Sequence, residues 1–126
     1  MLNVIVERRH AGEFLMKDEV LISREVVVIA AGSGEVEAGT LIGKISATGK
    51  WAPSPDAEVE GIEGAEVTRG ILFGPVDATT EDVKAVGVVR SAAVNKHCLE
   101  FHTSVDTDVK REAKLEELRA IGIIPR

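Results

Sequence analysis

Three histidines and one cysteine are the side chains through which this chain of 126 residues could ligate a metal or act as a nucleophile. Cys98, Glu100 and His102 stand two apart, and in an extended strand residues two apart share a face. Leu99 and Phe101 alternate with these polar neighbours, a pattern that predicts a strand over residues 96–102 and would bring the three together. A thiolate, a carboxylate and an imidazole in one place would make a partial metal site or a sulfur nucleophile. Any polar strand face has the same spacing, however, and His97 falls on the opposite side. The three are therefore read as a solvated face.

Other chemistry finds even less support. Gly32-Ser33-Gly34 lacks the lysine and the following helix of a phosphate-cradling loop, and no third glycine completes a dinucleotide fingerprint. Turn punctuation accounts for these glycines. Asp56, Glu58, Glu60, Glu63 and Glu66 run without a basic residue between them, but their spacing matches no calcium loop. No serine sits in a nucleophile elbow, and no carboxylate pair stands on a helix at a catalytic spacing. Lys110, Arg111, Lys114 and Arg119, interleaved with Glu112, Glu116 and Glu117, read as a solvated helix face. The expectation is a protein that is not an enzyme, with no catalytic, cofactor-binding or metal-binding residues and no cofactor.

The elements that would position these residues follow from composition and pattern. The chain holds 17 valines and 10 isoleucines, whereas aromatics make up only 3% and tyrosine is absent. Branched side chains pack well on a pleated surface, so the chain should be mainly β. Fifteen basic against twenty-one acidic residues give a net charge of -6. Such a balance gains nothing from counterion release on a phosphate backbone, so no nucleic-acid partner is expected. One cysteine makes no internal disulfide, no apolar run reaches the length of a membrane span, and no signal-peptide core is seen. Synthesis in a cytosol-like compartment, with no membrane partner, is expected.

Along the chain, residues 1–14 read as an N-terminal arm and residues 15–126 as a single β-rich domain. Leu2, Val4 and Val6 carry a strand period too short to make a core, and Arg8 and Arg9 guard it against aggregation. Val26-Val27-Val28-Ile29 predicts a buried strand ending at Gly32-Ser33-Gly34. Gly39 to Ile45, Gly70 to Phe73 and Lys84 to Arg90 predict further strands. Residues 51–68, with Pro53 and Pro55, predict an exposed acidic loop. Asp77-Ala78-Thr79-Thr80 predicts a turn. Residues 107–121 predict the one convincing helix, capped by Asp106 or Thr107, striped by Leu115, Leu118 and Ile121, and ended by Gly122. Phe73 is placed in the core, and Trp51 is left between core and subunit contact.

A resemblance runs through these same segments. His10-Ala11-Gly12-Glu13-Phe14-Leu15, Leu21-Ile22-Ser23-Arg24-Glu25-Val26, Ala38-Gly39-Thr40-Leu41-Ile42-Gly43-Lys44-Ile45 and Thr48-Gly49-Lys50-Trp51 stand in an order and spacing similar to the head decoration proteins of tailed bacteriophages. Gly70-Ile71-Leu72, Val76-Asp77-Ala78-Thr79, Val88-Val89-Arg90, Ala92-x-Val94, Leu99-x-Phe101 and Leu118-x-x-Ile121-Gly122-Ile123 continue it nearly to the end of the chain.

The resemblance implies a mainly β fold with one C-terminal helix, α+β by content, of the β-clip type with an extended N-terminal arm. It implies homotrimers on the outer surface of the virion, at threefold and quasi-threefold positions of the expanded head. There they would bind the major capsid protein and stabilise the shell against packaged DNA. The arm would grip the capsid, so Leu2, Val4, Ile5, Val6, Arg8, Arg9, His10 and Phe14 are the candidate capsid-binding residues; trimer-interface residues stay unassigned. The rival class is a lipoyl- or biotinyl-like carrier, or a swivelling β-clip module, attached to an enzyme. A carrier displays its lysine at a hairpin tip, whereas Met16-Lys17 precedes the first main strand.

Overall fold

Apolar runs of two to four residues separated by glycine-rich turns give short strands, and the described residues hold ten. The structure, a computed structural model, describes residues 10–126. In chain order the elements are β1 (Leu15–Asp18), the single turn α1 (Val20–Ser23), β2 (Arg24–Ile29), β3 (Gly34–Val36), β4 (Leu41–Lys44) and β5 (Trp51–Pro53). There follow β6 (Thr68–Leu72), β7 (Val76–Ala78), β8 (Val83–Val88), β9 (Ala92–Val94), α2 (Asp108–Ala120) and β10 (Ile123–Pro125). The expected class, mainly β with one C-terminal helix, is what the chain adopts.

Five strands close into a barrel in the order β2-β5-β4-β6-β8, with β8 returning to β2. The closing ladder is antiparallel and pairs all six residues of each strand, Arg24 with Val88 through Ile29 with Val83. A three-stranded sheet, β1-β9-β10, and a two-stranded one, β3-β7, complete the β structure. β4 and β6 are buried on both faces. Leu41 and Ile71 join a core with Phe14, Val88, Val94, Leu99, Leu115, Leu118 and Ile123. Their neighbours Ile42 and Leu72 join a second core with Val27, Ile29, Val36 and Trp51. Trp51 is therefore a core residue, while Phe73 is half-buried at the margin of the first core.

Several local expectations are corrected. Val26 to Ile29 is not buried throughout: Val27 and Ile29 point into the second core, whereas Val26 is exposed. Pro53 lies in a barrel strand, opposite Ile42. β5 meets β2 only at Ile29–Trp51, so the missing N–H of Pro53 falls beyond that pairing. Asp77 and Ala78 belong to β7, and the turn begins at Thr79, whose N–H is accepted by the Asp77 carboxylate at 3.1 Å. The acidic segment is exposed from Asp56 to Gly61 but then threads back against the barrel, where Ala65 is fully buried. Gly43 is what admits it, since a Cβ there would stand 2.1 Å from the Ala65 carbonyl oxygen.

Helix α2 begins and ends as its sequence predicts. The Thr107 side chain accepts from the Lys110 N–H at 3.3 Å, and Gly122 leaves the helix at φ +86°. Its supposedly solvated face holds one exception. Lys114 is only 2% exposed. Its ammonium donates to Ser54 Oγ at 3.1 Å and to the Glu66 carbonyl, and pairs with Glu117 at 3.4 Å. Glu117 in turn accepts the Thr68 N–H at 2.8 Å, and Thr68 Oγ1 donates to Ser54 Oγ. A buried charge is tolerated only when its donors are satisfied, and this one bolts α2 to both ends of the 54–68 segment.

At the far end of the barrel, Asp82 accepts the Ala31 N–H at 2.8 Å and pairs with Lys50 at 2.7 Å. The Lys50 hydrogen bond, followed by that from Ala31, holds the Asp82 carboxyl below the usual carboxylate range.

Removing the buried ammonium tests the bolt. Lys114→Ala leaves the Glu66 carbonyl and Glu117 short of a donor and is expected to cost about 3 kcal/mol, lowering the thermal midpoint by roughly 10 °C. Arg111→Ala, on the exposed face of the same helix, is expected to move stability by less than about 0.5 kcal/mol.

Candidate functional site

The residues that could do chemistry are not gathered. Lys96–Cys98 is a 3-10 turn and not a strand, with the Asn95 side chain accepting the His97 N–H at 3.0 Å. The strand alternation read over residues 96–102 fails because Asn95 caps a turn instead. Leu99 is buried, and Glu100 makes a bridge to Thr40. His102 lies beyond it, where Nδ1 accepts the Ser104 N–H at 3.1 Å and meets Ser104 Oγ at 2.8 Å. Among the described residues, no three of His, Cys, Asp and Glu are grouped to hold a metal ion. His102 borders an open depression of about 350 Å³ whose charged lining residues are Glu100, Asp106 and Arg111. That is a wet surface of mixed charge.

The carrier reading also loses its lysine. Lys17 sits within β1, paired opposite Ala93, and not at the tip of a hairpin.

The arm residues divide at His10. Leu2, Val4, Ile5, Val6, Arg8 and Arg9 lie outside the described residues. His10 is exposed. Phe14 is the correction: it is 1% exposed and packs in the first core, so its ring is not on offer to another protein. The segment before β1 is thus part of the folded body from His10 onward. The Gly12 N–H donates to the Phe73 carbonyl at 2.9 Å, and the Asn95 N–H donates to the Phe14 carbonyl at 2.8 Å. The Glu13 N–H donates to the His10 carbonyl at 3.1 Å, closing a turn. Gly12 makes that turn at φ +70°, with the edge of the Phe73 ring where a Cβ would stand, 2.9 Å away. Both demands, handedness and space, select glycine.

Phe73 joins this root to the barrel wall. Its N–H donates to the Val86 carbonyl at 2.9 Å, and the Arg24 guanidinium lies over its ring, 4.4 Å from the centroid. Arg24 is itself held by Asp18 at 2.7 Å. Around this point several large apolar side chains face water: Leu21, Ile22, Val26 and Val86. Sequence reading passed over them. The available signal was the unbroken valine run itself, because a strand packed on one side only needs polar residues at alternate positions.

Comparison with known proteins identifies the chain. A family model described as Bacteriophage lambda head decoration protein D matches residues 4–123, and the chain belongs to that family. No curated protein matches it significantly. The family is a structural one, a component of the phage head and not an enzyme.

The root of the arm is testable on its own. Gly12→Val introduces a branched side chain at positive φ and against the Phe73 ring. It is expected to cost about 1–2 kcal/mol or more and to speed limited proteolysis between residues 10 and 14. Gly32→Val, also at positive φ but with open space around it, is expected to cost no more than the backbone share.

Proposed function

We propose that this head decoration protein works as a trimeric clamp on the outside of the expanded phage head, gripping the major capsid protein through its N-terminal arms. The observation that carries the reading is the family match, which begins at residue 4 and so takes in most of the arm. A second support is the way the chain is rooted: residues 10–14 are tied to the body by hydrogen bonds and a buried ring, so an arm leaving at His10 starts from a fixed point.

The energetics favour three arms over one. Fixing about ten residues costs on the order of 10–20 kcal/mol of backbone entropy. Hydrogen bonds to an exposed sheet edge return about 0.5–1.5 kcal/mol each. The arm must therefore also bury Leu2, Val4, Ile5 or Val6, at about 25 cal/mol per Å². One arm is a weak grip. Three on one body bind at a high effective concentration, and they need three acceptor edges placed together. On this reading an unexpanded shell, with its sites spaced differently, is not decorated. Arg8 and Arg9 meet acidic groups of the capsid protein, while the net charge of -6 keeps the rest of the body off DNA.

Cosedimentation with empty capsids checks this. The full chain is expected to pellet with expanded shells and to stay in solution with unexpanded ones. A version lacking residues 1–9, which keeps Gly12 and Phe14, is expected to stay folded and trimeric by light scattering yet fail to pellet. Arg8→Glu with Arg9→Glu is expected to weaken binding at least tenfold without unfolding the body. Truncated protein that binds as well as the full chain would remove the arm from the mechanism, and a monomer would remove the threefold clamp.

A further inference from the structure

On the outer face of the β2–β8 ladder stand Arg24 opposite Val88, Val26 opposite Val86 and Val28 opposite Lys84, and the described fold buries Val88 but leaves Val26 and Val86 facing water. Val27 opposite Ala85, and Ile29 opposite Val83, point into the second core. On the outer face Val26 stands directly opposite Val86, followed by Val28 opposite Lys84. Val26 is 68% and Val86 37% exposed. Phe73 with its stacked Arg24 adjoins them. The single turn α1 leads into this ladder and carries Leu21, 97% exposed, and Ile22, 56% exposed.

These groups sit on a rigid stage. Ser23, fully buried, donates its hydroxyl to the Ser91 carbonyl at 2.8 Å and accepts the Glu19 N–H at 2.9 Å. Its carbonyl accepts the Val89 N–H, and Arg90 donates to the Ile22 carbonyl. Apolar side chains held in water by such a frame have little entropy left to lose on contact, which is the character of an interface.

We infer that the outer face of β2 and β8 is where copies of this chain meet, an assignment that rests on the trimer reading above. Charge selects this occupant. With a net charge of -6, two copies repel over most of their surface. Here the flanking ions cancel in pairs, Arg24 with Asp18 at 2.7 Å and Arg90 with Glu25 at 2.8 Å, and Lys84 adds a cation. With the exposed Glu19 before α1 set against Lys84, the face is close to neutral, and an acidic neighbour can approach it without repulsion. In a ring of three it meets a different surface of the next copy, since a threefold contact is head-to-tail.

Val26→Asp and Val86→Asp, singly and together, test the assignment by light scattering and sedimentation velocity over a concentration series, with circular dichroism as the folding check. The native chain is expected to be trimeric, and each variant to be a folded protein whose half-assembly concentration rises at least tenfold. Val109→Asp, on the exposed face of α2, is expected to leave assembly unchanged. Should an aspartate prevent folding, Val26→Thr with Val86→Thr keeps the strand propensity and must still weaken assembly. Variants as trimeric as the native chain would overturn the assignment while leaving the trimer reading in place. A native chain that stays monomeric throughout would overturn both.

Discussion

The pairing of β2 with β8 is the constraint on which the rest of the molecule hangs. It closes the barrel, and closure gives each of the five strands a neighbour on both sides. Within the barrel, β4 and β6 send neighbouring side chains into separate cores, Leu41 and Ile71 into one and Ile42 and Leu72 into the other, each lined largely by branched aliphatic residues. The ladder joins residues some sixty positions apart, Arg24 with Val88 and Ile29 with Val83, so its pairing carries the closure entropy of a long loop. Features at its margins then depend on it. Arg24 reaches Asp18 and Phe73 from the first position of β2, and the Phe73 N–H reaches Val86 from beyond β6. The root of the arm is bonded to that same Phe73.

This dependence explains what could be read from the sequence. Helix α2 was legible because a cap, an apolar stripe and a terminating glycine are local signals, all within fifteen residues. Lys84 to Arg90 was legible because β-branched residues concentrate there. β3, β7 and β10 span three residues each and carry no period; they exist because a partner strand lies beside them. β10 pairs in parallel with β9, a contact that no neighbouring residue foretells. Lys114 was misread for a related reason. Its place among charged neighbours suggests water, and only the path of residues 54–68 across α2 buries it.

The candidate site divides along the same line. That no nucleophile or metal cluster was expected followed from residue types and spacing, and it did not need the fold. The family was legible because many weak motifs stand in a fixed order, and order survives where single motifs carry little information. Phe14, by contrast, falls within residues 1–14, which read as an arm, and its burial depends on Leu41, Ile71 and Leu118 converging from distant elements. The outward valines were missed because a continuous apolar run reads as wholly buried. The register of β2 against β8 shows which residues of it point away from the core.

The two proposals meet at Phe73. Its carbonyl accepts the Gly12 N–H, its own N–H donates to the Val86 carbonyl, and its ring carries Arg24, so the turn at residues 10–14 is tied to the border of the uncovered valine face. If copies meet through that face, each contact between copies sets the start of an arm beside a neighbouring body. The arms of a trimer then begin at three points fixed relative to one another instead of diffusing about three independent domains. Effective concentration depends on that spacing, and it falls steeply when the separation of tethered groups mismatches the separation of their sites. A body bolted by Lys114 and framed by Ser23 would hold the spacing constant. On these proposals, rigidity of the domain, which looks like a matter of stability alone, would be the means by which a short arm discriminates one lattice geometry from another.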